Sequence, residues 1–384
     1  MNDSAAGFDP SVDLGSGVRM PLVGAGTQYG FQEDGNSRGD IRRGAEHVAR
    51  ALRAGFRLLD TARSYGTEQH VTAGLAAASV PRRDAFVVSK GWVGIDHPAG
   101  AESSRAAIAE SAERLGGYVD LFLVHHPVAG WHDLWRALEQ AKDQGLVRAI
   151  GVSNFTAPQL DELLAMARHR PVANQIHLHP FAHEHHRATL RACERHGIRV
   201  MAFPRCPWRL GPGSAIDEIA AECGRTRAQV MLRWAVERGF AVIPLSTDEG
   251  HLAENFAVRA FHLSPDQVAR IDALADRPRI RHHTDLVTAE GLAGWAYLAG
   301  SSLRIRVLLG AGADATELGV AEHGHPRPDV QQAHQGPPES LASGFSFRFP
   351  PGCFGDRPRA VRLRFEAPNG ETLETGALPV PPAT

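Results

Sequence analysis

Eight short apolar runs recur through the first two thirds of this 384-residue chain, and no other feature constrains its fold as tightly. They are LVGAG (22–26), FRLLD (56–60), FVVSK (86–90), VDLFLVHH (119–126), AIGVSN (149–154), ANQIH (173–177), RVMAF (199–203) and AVIPL (241–245). Each is rich in aliphatic and β-branched residues and lacks alternation, as expected of parallel strands buried on both faces. Amphipathic segments separate them. Ile41, Ala45, Val48 and Leu52 form a stripe at helical spacing with Gly55 as its stop, and Leu134, Leu138 and Ala141 repeat the pattern before Gly145. Thr156 is placed to cap a helix with Pro158 in its first turn, and Ser214 to open one that Gly224 closes. Successive runs end roughly 30 residues apart, the length of a strand–helix–strand unit. The expected fold is α/β, a (β/α)8 TIM barrel. An open doubly wound sheet shares this periodicity and is the competing arrangement.

After about Arg281 the texture changes. LRIRVLL (303–309), GFSFRF (344–349) and RAVRLRFEA (359–367) alternate apolar with polar residues, the pattern of half-buried antiparallel strands, and Pro368-Asn369-Gly370 supplies a hairpin turn. The expected division is a barrel over 1–280, a linker covering the pocket over 281–291, and a small antiparallel β-sandwich over 292–384.

Composition narrows the function classes. A formal net charge of −2 gives no field that would attract nucleic acid or an anionic membrane. No apolar run reaches the length of a membrane span. The opening MNDSAAGFDP lacks the basic start and apolar core of a secretory signal. Cys193, Cys206, Cys223 and Cys353 are scattered without a CxxC pair, which fits a reducing compartment. The expectation is a soluble, cytoplasmic protein acting on a small molecule.

In a parallel barrel, functional side chains collect at the C-terminal ends of the strands. Those ends carry Asp60, Tyr65 five residues on, Lys90 and His125, each after a strand too apolar to need it for solubility. Singly, each has a structural reading: Asp60 as a helix cap, Lys90 as a rim charge, His125 as a core imidazole. Together they make a proton-transfer site. A free tyrosine, with a pKa of about 10, exchanges protons poorly near neutrality. A buried ammonium beside it favours the phenolate and makes the phenol a better acid. The carboxylate would hold that lysine charged, and the histidine would hydrogen-bond the substrate oxygen.

Over about residues 18–280 the stretches LLDTARSYGTE, VVSK, DLFLVHHP, GVSNF, NQIHLHP, AQVMLRW and AENF resemble the aldo-keto reductase superfamily. The resemblance implies a catalytic tetrad of Asp60, Tyr65, Lys90 and His125, with His126 a bystander. It implies hydride transfer from a reduced nicotinamide to an aldehyde or ketone, Tyr65 acting as general acid. It also implies a cofactor track without a Rossmann fingerprint. Gly26 and Thr27 would line the nicotinamide end, Ser153, Asn154 and Gln175 would bind the carboxamide, and Phe203 would stack on the ring. Leu245 and Ser246 would lie along the track, and Glu254 and Asn255 at the adenine. A redox-neutral isomerase or lyase reusing the tetrad, or a cofactor-binding sensor, are the alternatives.

Departures from the family pattern bear on the cofactor. Leu245 replaces the usual lysine and His251 the usual arginine, while Asp248 and Glu249 add negative charge. The cations that hold a 2′-phosphate are missing, so the choice between NADH and NADPH leans to NADH. Pro204-Arg205-Cys206 replaces Ser-Pro-Leu, and Arg205 is placed to pair with the pyrophosphate. The histidine-rich QIHLHPFAHEHH (175–186) lacks a ligand set at metal spacing, and no metal is expected. His282, His283, His323 and His325 read as surface. In the second region, Gly294-Trp295, Arg327-Pro328-Asp329-Val330 and Gly344-Phe345 resemble a small β module found beside bacterial glycosyltransferase domains. Trp295 and Phe345 are expected in its core and Arg327–Asp329 as a buried pair or turn, with glycan or partner-protein binding as the sharper reading.

Overall fold

The computed structural model describes residues 11–28, 40–180, 183, 186–204, 215–274, 281–297, 303–309, 315–327, 329, 342–354, 360–366 and 372–382. The chain divides into two compact units, Met1–Asp276 and Arg277–Thr384.

The first unit opens with a hairpin of β1 (Ser11–Asp13) and β2 (Arg19–Pro21), whose Met20 is fully buried in the barrel core. Eight parallel strands follow: β3 (Gly24–Gly26), β4 (Leu58–Asp60), β5 (Phe86–Gly91), β6 (Val119–Val124), β7 (Val147–Ser153), β8 (Ala173–Ile176), β9 (Arg199–Ala202) and β10 (Ala241–Val242). Their order in the sheet is their order in the chain. A doubly wound sheet would reverse direction at a switch point, so that competitor is excluded. The ring closes where Val23 bridges Val242. There Val242 N–H donates to the Leu22 carbonyl at 2.7 Å, and Gly26 N–H to the Pro244 carbonyl at 3.0 Å. β5 and β6 are buried at every position, which is why their sequences show no alternation.

Helices α1 (Ile41–Arg53), α2 (Glu68–Ala77), α3 (Ala101–Arg114), α4 (Trp131–Asp143), α5 (Ala157–Met166), α6 (Arg187–His196), α7 (Ala215–Cys223), α8 (Arg227–Glu237), α9 (Glu249–Phe256) and α10 (Pro265–Asp272) alternate with or follow the strands. Thr156 begins α5 as expected, its N–H donating to Gln159 Oε1 at 2.9 Å, and Thr226 and Ser264 form the same capping box. Gly55 ends α1 with φ +108°, and a Cβ there would lie 2.4 Å from the Phe256 ring, so only glycine fits. The expected cap at Ser214 lies outside the described residues.

The described residues of the second unit form two antiparallel sheets. One is ordered β11 (Arg281–Val287), β12 (Gly291–Tyr297), β16 (Gly344–Arg348), β15 (Glu322–His325). The other is ordered β14 (Thr316–Val320), β13 (Arg304–Leu309), β17 (Ala360–Glu366), β18 (Thr372–Glu374), with β19 (Leu378–Pro379) on β17. Leu292, Ala296 and Phe345 of the first sheet share a core with Ile305, Val307, Leu363 and Phe365 of the second. Four sequence readings need correction. Residues 281–287, read as linker, pair with β12 as a strand, their alternation broken by a register shift between Thr284 and Leu286. Trp295 is half-buried, because Leu292, Gly294 and Ala296 take the inward positions of β12. Arg327 does pair with Asp329 at 2.6 Å, and also with Asp285 at 2.6 Å, but these groups keep contact with solvent. His282 is stacked 4.5 Å from the Phe365 ring rather than solvated. The turn at 368–370 lies outside the described residues.

Candidate active site

The site grows from strand ends. Asp60 closes β4 behind two buried leucines, and the chain then runs through Thr61 and Ala62 into a single 3-10 turn, Arg63–Tyr65. In such a turn successive side chains leave the axis about 120° apart, so three neighbours reach three different partners. Arg63 crosses to α3, donating to the Ala107 carbonyl at 2.9 Å and pairing with Glu110 at 2.7 Å. Ser64 points to the ring of His125, and Tyr65 to Lys90. Arg63 thus anchors the turn that aims the other two.

Lys90 is fully buried on β5. Its Nζ donates to Asp60 Oδ1 at 2.7 Å, to the Thr61 carbonyl at 2.9 Å and to the Tyr65 hydroxyl at 3.4 Å. Burial by itself pulls the pKa of this ammonium down, but the Asp60 carboxylate and the Tyr65 hydroxyl outweigh it, and the net direction is up. The lysine is held charged. Asp60 is fixed in turn by Gln175, whose Nε2 donates to Oδ2 at 2.7 Å. Behind them three buried hydroxyls form a lock. Thr27 Oγ1 donates to the Asp60 carbonyl at 3.0 Å and lies 2.9 Å from Thr67 Oγ1, which lies 2.8 Å from Thr61 Oγ1.

His125 follows β6, its N–H donating to the Gly91 carbonyl at 2.9 Å. Tyr65 meets its ring edge-on at 5.6 Å, Trp92 lies at 5.0 Å, and His126 stacks on it at 5.0 Å. Burial first, then the charges of Lys90 and His126, drive the His125 pKa well below the ordinary histidine value. Burial and Lys90 push His126 in the same direction. Both imidazoles are therefore neutral in the physiological range. His126 packs beside it, its ring 4.1 Å from Trp92 and its Nε2 3.4 Å from Asn154 Nδ2.

Asn154 follows β7 with φ +62°, a left-handed conformation that asparagine tolerates better than most residues. Its Nδ2 reaches the His125 carbonyl and Ser153 Oγ, both at 3.1 Å, and Ser153 Oγ donates to the Gln175 carbonyl at 2.9 Å. Among the described residues, the side-chain oxygens of Asn154 and Gln175 accept no hydrogen bond, and neither is sealed away. Two carbonyl oxygens left open beside Asp60 and His125 suit a carboxamide NH2, so these residues fit a nicotinamide. Gly26 sits on the seam against Ile243, Pro244 and Leu245, each no nearer than 3.6 Å to an added Cβ. Phe203 is half-buried one residue past β9, 5.5 Å from the His177 ring. Ser246 Oγ accepts from Asp248 N–H at 3.1 Å. On α9, Glu254 accepts from Thr226 Oγ1 at 3.3 Å and Asn255 is buried. Arg205 lies outside the described residues. Among those described, no three His, Cys, Asp or Glu side chains could hold a metal ion.

Sequence reasoning passed over Ser64, Thr61, Thr67 and Trp92. Trp92 was findable, because it stands two residues past Lys90 at the same strand end. The hydroxyls carry no spacing signal.

Residues 26–206 and 204–276 match the model of the Aldo/keto reductase family. The chain is 37% identical over 295 residues to an aldo-keto reductase of Mycolicibacterium vanbaalenii, covering 74% of this chain and 99% of the relative. It is 36% identical over 283 residues to the glyoxal reductase of Bacillus subtilis, covering 72% and 96%. Among solved structures, an aldo-keto reductase of Bombyx mori in complex with NADP superposes with a TM-score of 0.62 at 29% identity, covering 70% of this chain and 94% of that one.

Proposed function

The chain belongs to the aldo/keto reductase family, and on that premise we propose that Tyr65 delivers the proton to the carbonyl oxygen of an aldehyde or ketone. The protein is an NAD(P)H-dependent oxidoreductase that acts on carbonyl compounds. A reduced nicotinamide, when bound, would supply the hydride for the carbonyl carbon. The chain's own residues do the rest. His125, neutral and buried, donates a hydrogen bond that orients the carbonyl. Tyr65 gives up its proton as charge gathers on the substrate oxygen, and the Lys90 ammonium, 3.4 Å away, stabilises the negative charge left on the phenol oxygen. Asp60 and Gln175 keep that ammonium in place. Asn154 and Gln175 would hold the carboxamide through their open oxygens, Thr27 and Gly26 would bound the ring, and Phe203 would stack on it.

The observation that carries this reading is the contact of one buried lysine with both the Asp60 carboxylate and the Tyr65 hydroxyl. The test is Tyr65→Phe, assayed by absorbance of NAD(P)H with 4-nitrobenzaldehyde. Loss of a general acid predicts a fall of about 10²–10⁴-fold in kcat. Unaltered turnover sinks the proposal. Stoichiometric consumption of NAD(P)H separates a reductase from a redox-neutral enzyme or a sensor, which the reductase names of the relatives do not favour.

At the adenine end we infer a preference for NADH. Leu245 offers no charge, and Asp248 is held ionised chiefly by the His251 backbone N–H it accepts, so a 2′-phosphate would meet repulsion there. Parallel fluorescence titrations with NADH and NADPH decide it, and tighter NADPH binding refutes it. Glycan or partner-protein binding is assigned to the second unit on the resemblance of its short stretches alone.

A further inference from the structure

We propose that Ser64 is a positioning residue for the reaction: its hydroxyl donates to His125 Nδ1 and thereby places the imidazole's single proton on Nε2, facing the substrate carbonyl oxygen. The inference rests on the reading of Tyr65 and His125 given above and names the group that sets the histidine's tautomer.

A neutral imidazole has one N–H and one lone pair, and which nitrogen carries the proton is decided by what the other one bonds. His125 is kept neutral by its burial and by the Lys90 charge. If its proton sat on Nδ1, a lone pair on Nε2 would oppose the lone pairs of a carbonyl oxygen and the ring could not act as donor. Its surroundings leave one group that bonds a ring nitrogen, a hydroxyl able to fill the Nδ1 lone pair when the proton sits on Nε2 facing the acceptor-only carbonyl oxygen. Trp92, His126 and Tyr65 pack as rings against it, contacts that confine the plane without choosing a tautomer. Ser64 Oγ lies 3.4 Å from Nδ1. Among the described residues it is the one side chain that hydrogen-bonds this imidazole, and Nε2 is left unbonded and open. His125 is also Ser64's one hydrogen-bonding partner there, so nothing else competes for the hydroxyl. The placement follows from the 3-10 turn: Ser64 and Tyr65 are consecutive, so one anchored turn delivers the hydroxyl to the donor ring and the phenol to its lysine.

The test uses the whole protein with ¹⁵N-labelled histidine. Long-range ¹H–¹⁵N correlation separates the two tautomers by the shifts of both ring nitrogens, and the His125 signals are assigned by their loss in His125→Asn. The wild type is expected as the Nε2–H form. Ser64→Ala is expected to mix the tautomers and to lower kcat for 4-nitrobenzaldehyde about 3- to 10-fold, the worth of one hydrogen bond. KM should barely move, and Ser64→Thr, which keeps the hydroxyl, should restore both readouts. A wild-type Nδ1–H tautomer, or an unchanged Nε2–H signal in Ser64→Ala, overturns the inference. If Tyr65→Phe is inactive while Ser64→Ala keeps its tautomer, the inference about Ser64 fails alone. If Tyr65→Phe keeps full turnover, the reading beneath it fails as well.

Discussion

Replacing Lys90 by methionine isolates what the buried ion pair contributes. The side chain of Lys90 is 0% exposed and that of Asp60 is 7% exposed, so solvent screens neither charge. Methionine keeps an apolar stem of similar reach, so little packing is lost. What changes is the electrostatics. Asp60 Oδ1 and the Thr61 carbonyl lose their donor, and among the described residues the carboxylate keeps only Gln175 at 2.7 Å. Removing one partner of a buried pair costs about 3–5 kcal/mol, mostly from the charge left behind. Adding Asp60→Asn removes that charge. The double variant should therefore be more stable than Lys90→Met, by about 2 kcal/mol or more, while remaining inactive. Denaturant titration followed by helical circular dichroism reports on the barrel, because every described α-helix lies in the first unit. A Lys90→Met cost below about 1 kcal/mol, or a double variant as unstable as the sum of the two singles, would refute the reasoning.

Acidification should weaken the fold through its depressed histidines. The His125 pKa is far lower in the folded chain than its ordinary value of 6.5, so below that pH the unfolded chain takes up a proton that the folded one refuses. Stability should then fall as pH drops from 6.5 towards the folded value, by about 1.4 kcal/mol at one unit below if that value lies lower still. Denaturant midpoints at pH 7.5 and 5.5 measure this for wild type and His125→Asn, and an identical slope in the two would sink the assignment. The same shift predicts no loss of kcat/KM centred on pH 6.5. Cys193, buried and with its thiol pushed up to about 11 chiefly by that burial, should resist iodoacetamide in the native protein at pH 7.5. Peptide mass mapping before and after unfolding checks it, and rapid native labelling would contradict the placement.

The barrel was legible because its strands are buried on both faces, so β5 and β6 announce themselves without any need to guess which side faces in. The clustering of Asp60, Tyr65, Lys90 and His125 was legible for a related reason. A charged or polar residue that follows such a strand stands out, as Asp60, Lys90 and His125 do. The second unit was harder. In a half-buried sheet one residue of register turns every side chain over, and that is how Trp295 was read inward and His282 outward. The supports of the site were hidden for another reason. Gln175 reaches Asp60 across 115 residues, and Thr27 meets Thr67 across 40, contacts that exist only once the ring is closed. Ser64 and Thr67 are ordinary polar letters in a polar stretch, and nothing local marks them.

The bridge between Val23 and Val242 has a bearing on how the chain emerges from the ribosome. Asp60, Tyr65, Lys90 and His125 are all synthesised early, yet the strand that joins Gly24–Gly26 from the far side is the last of the eight to be made. Until it arrives, the nascent sheet has a raw margin at each end and grows at one of them. Such margins are templates on which strands of neighbouring chains can pair. Before Val242 appears, both margins of the sheet are therefore exposed, with Asp60, Tyr65, Lys90 and His125 already made but not yet enclosed by a ring.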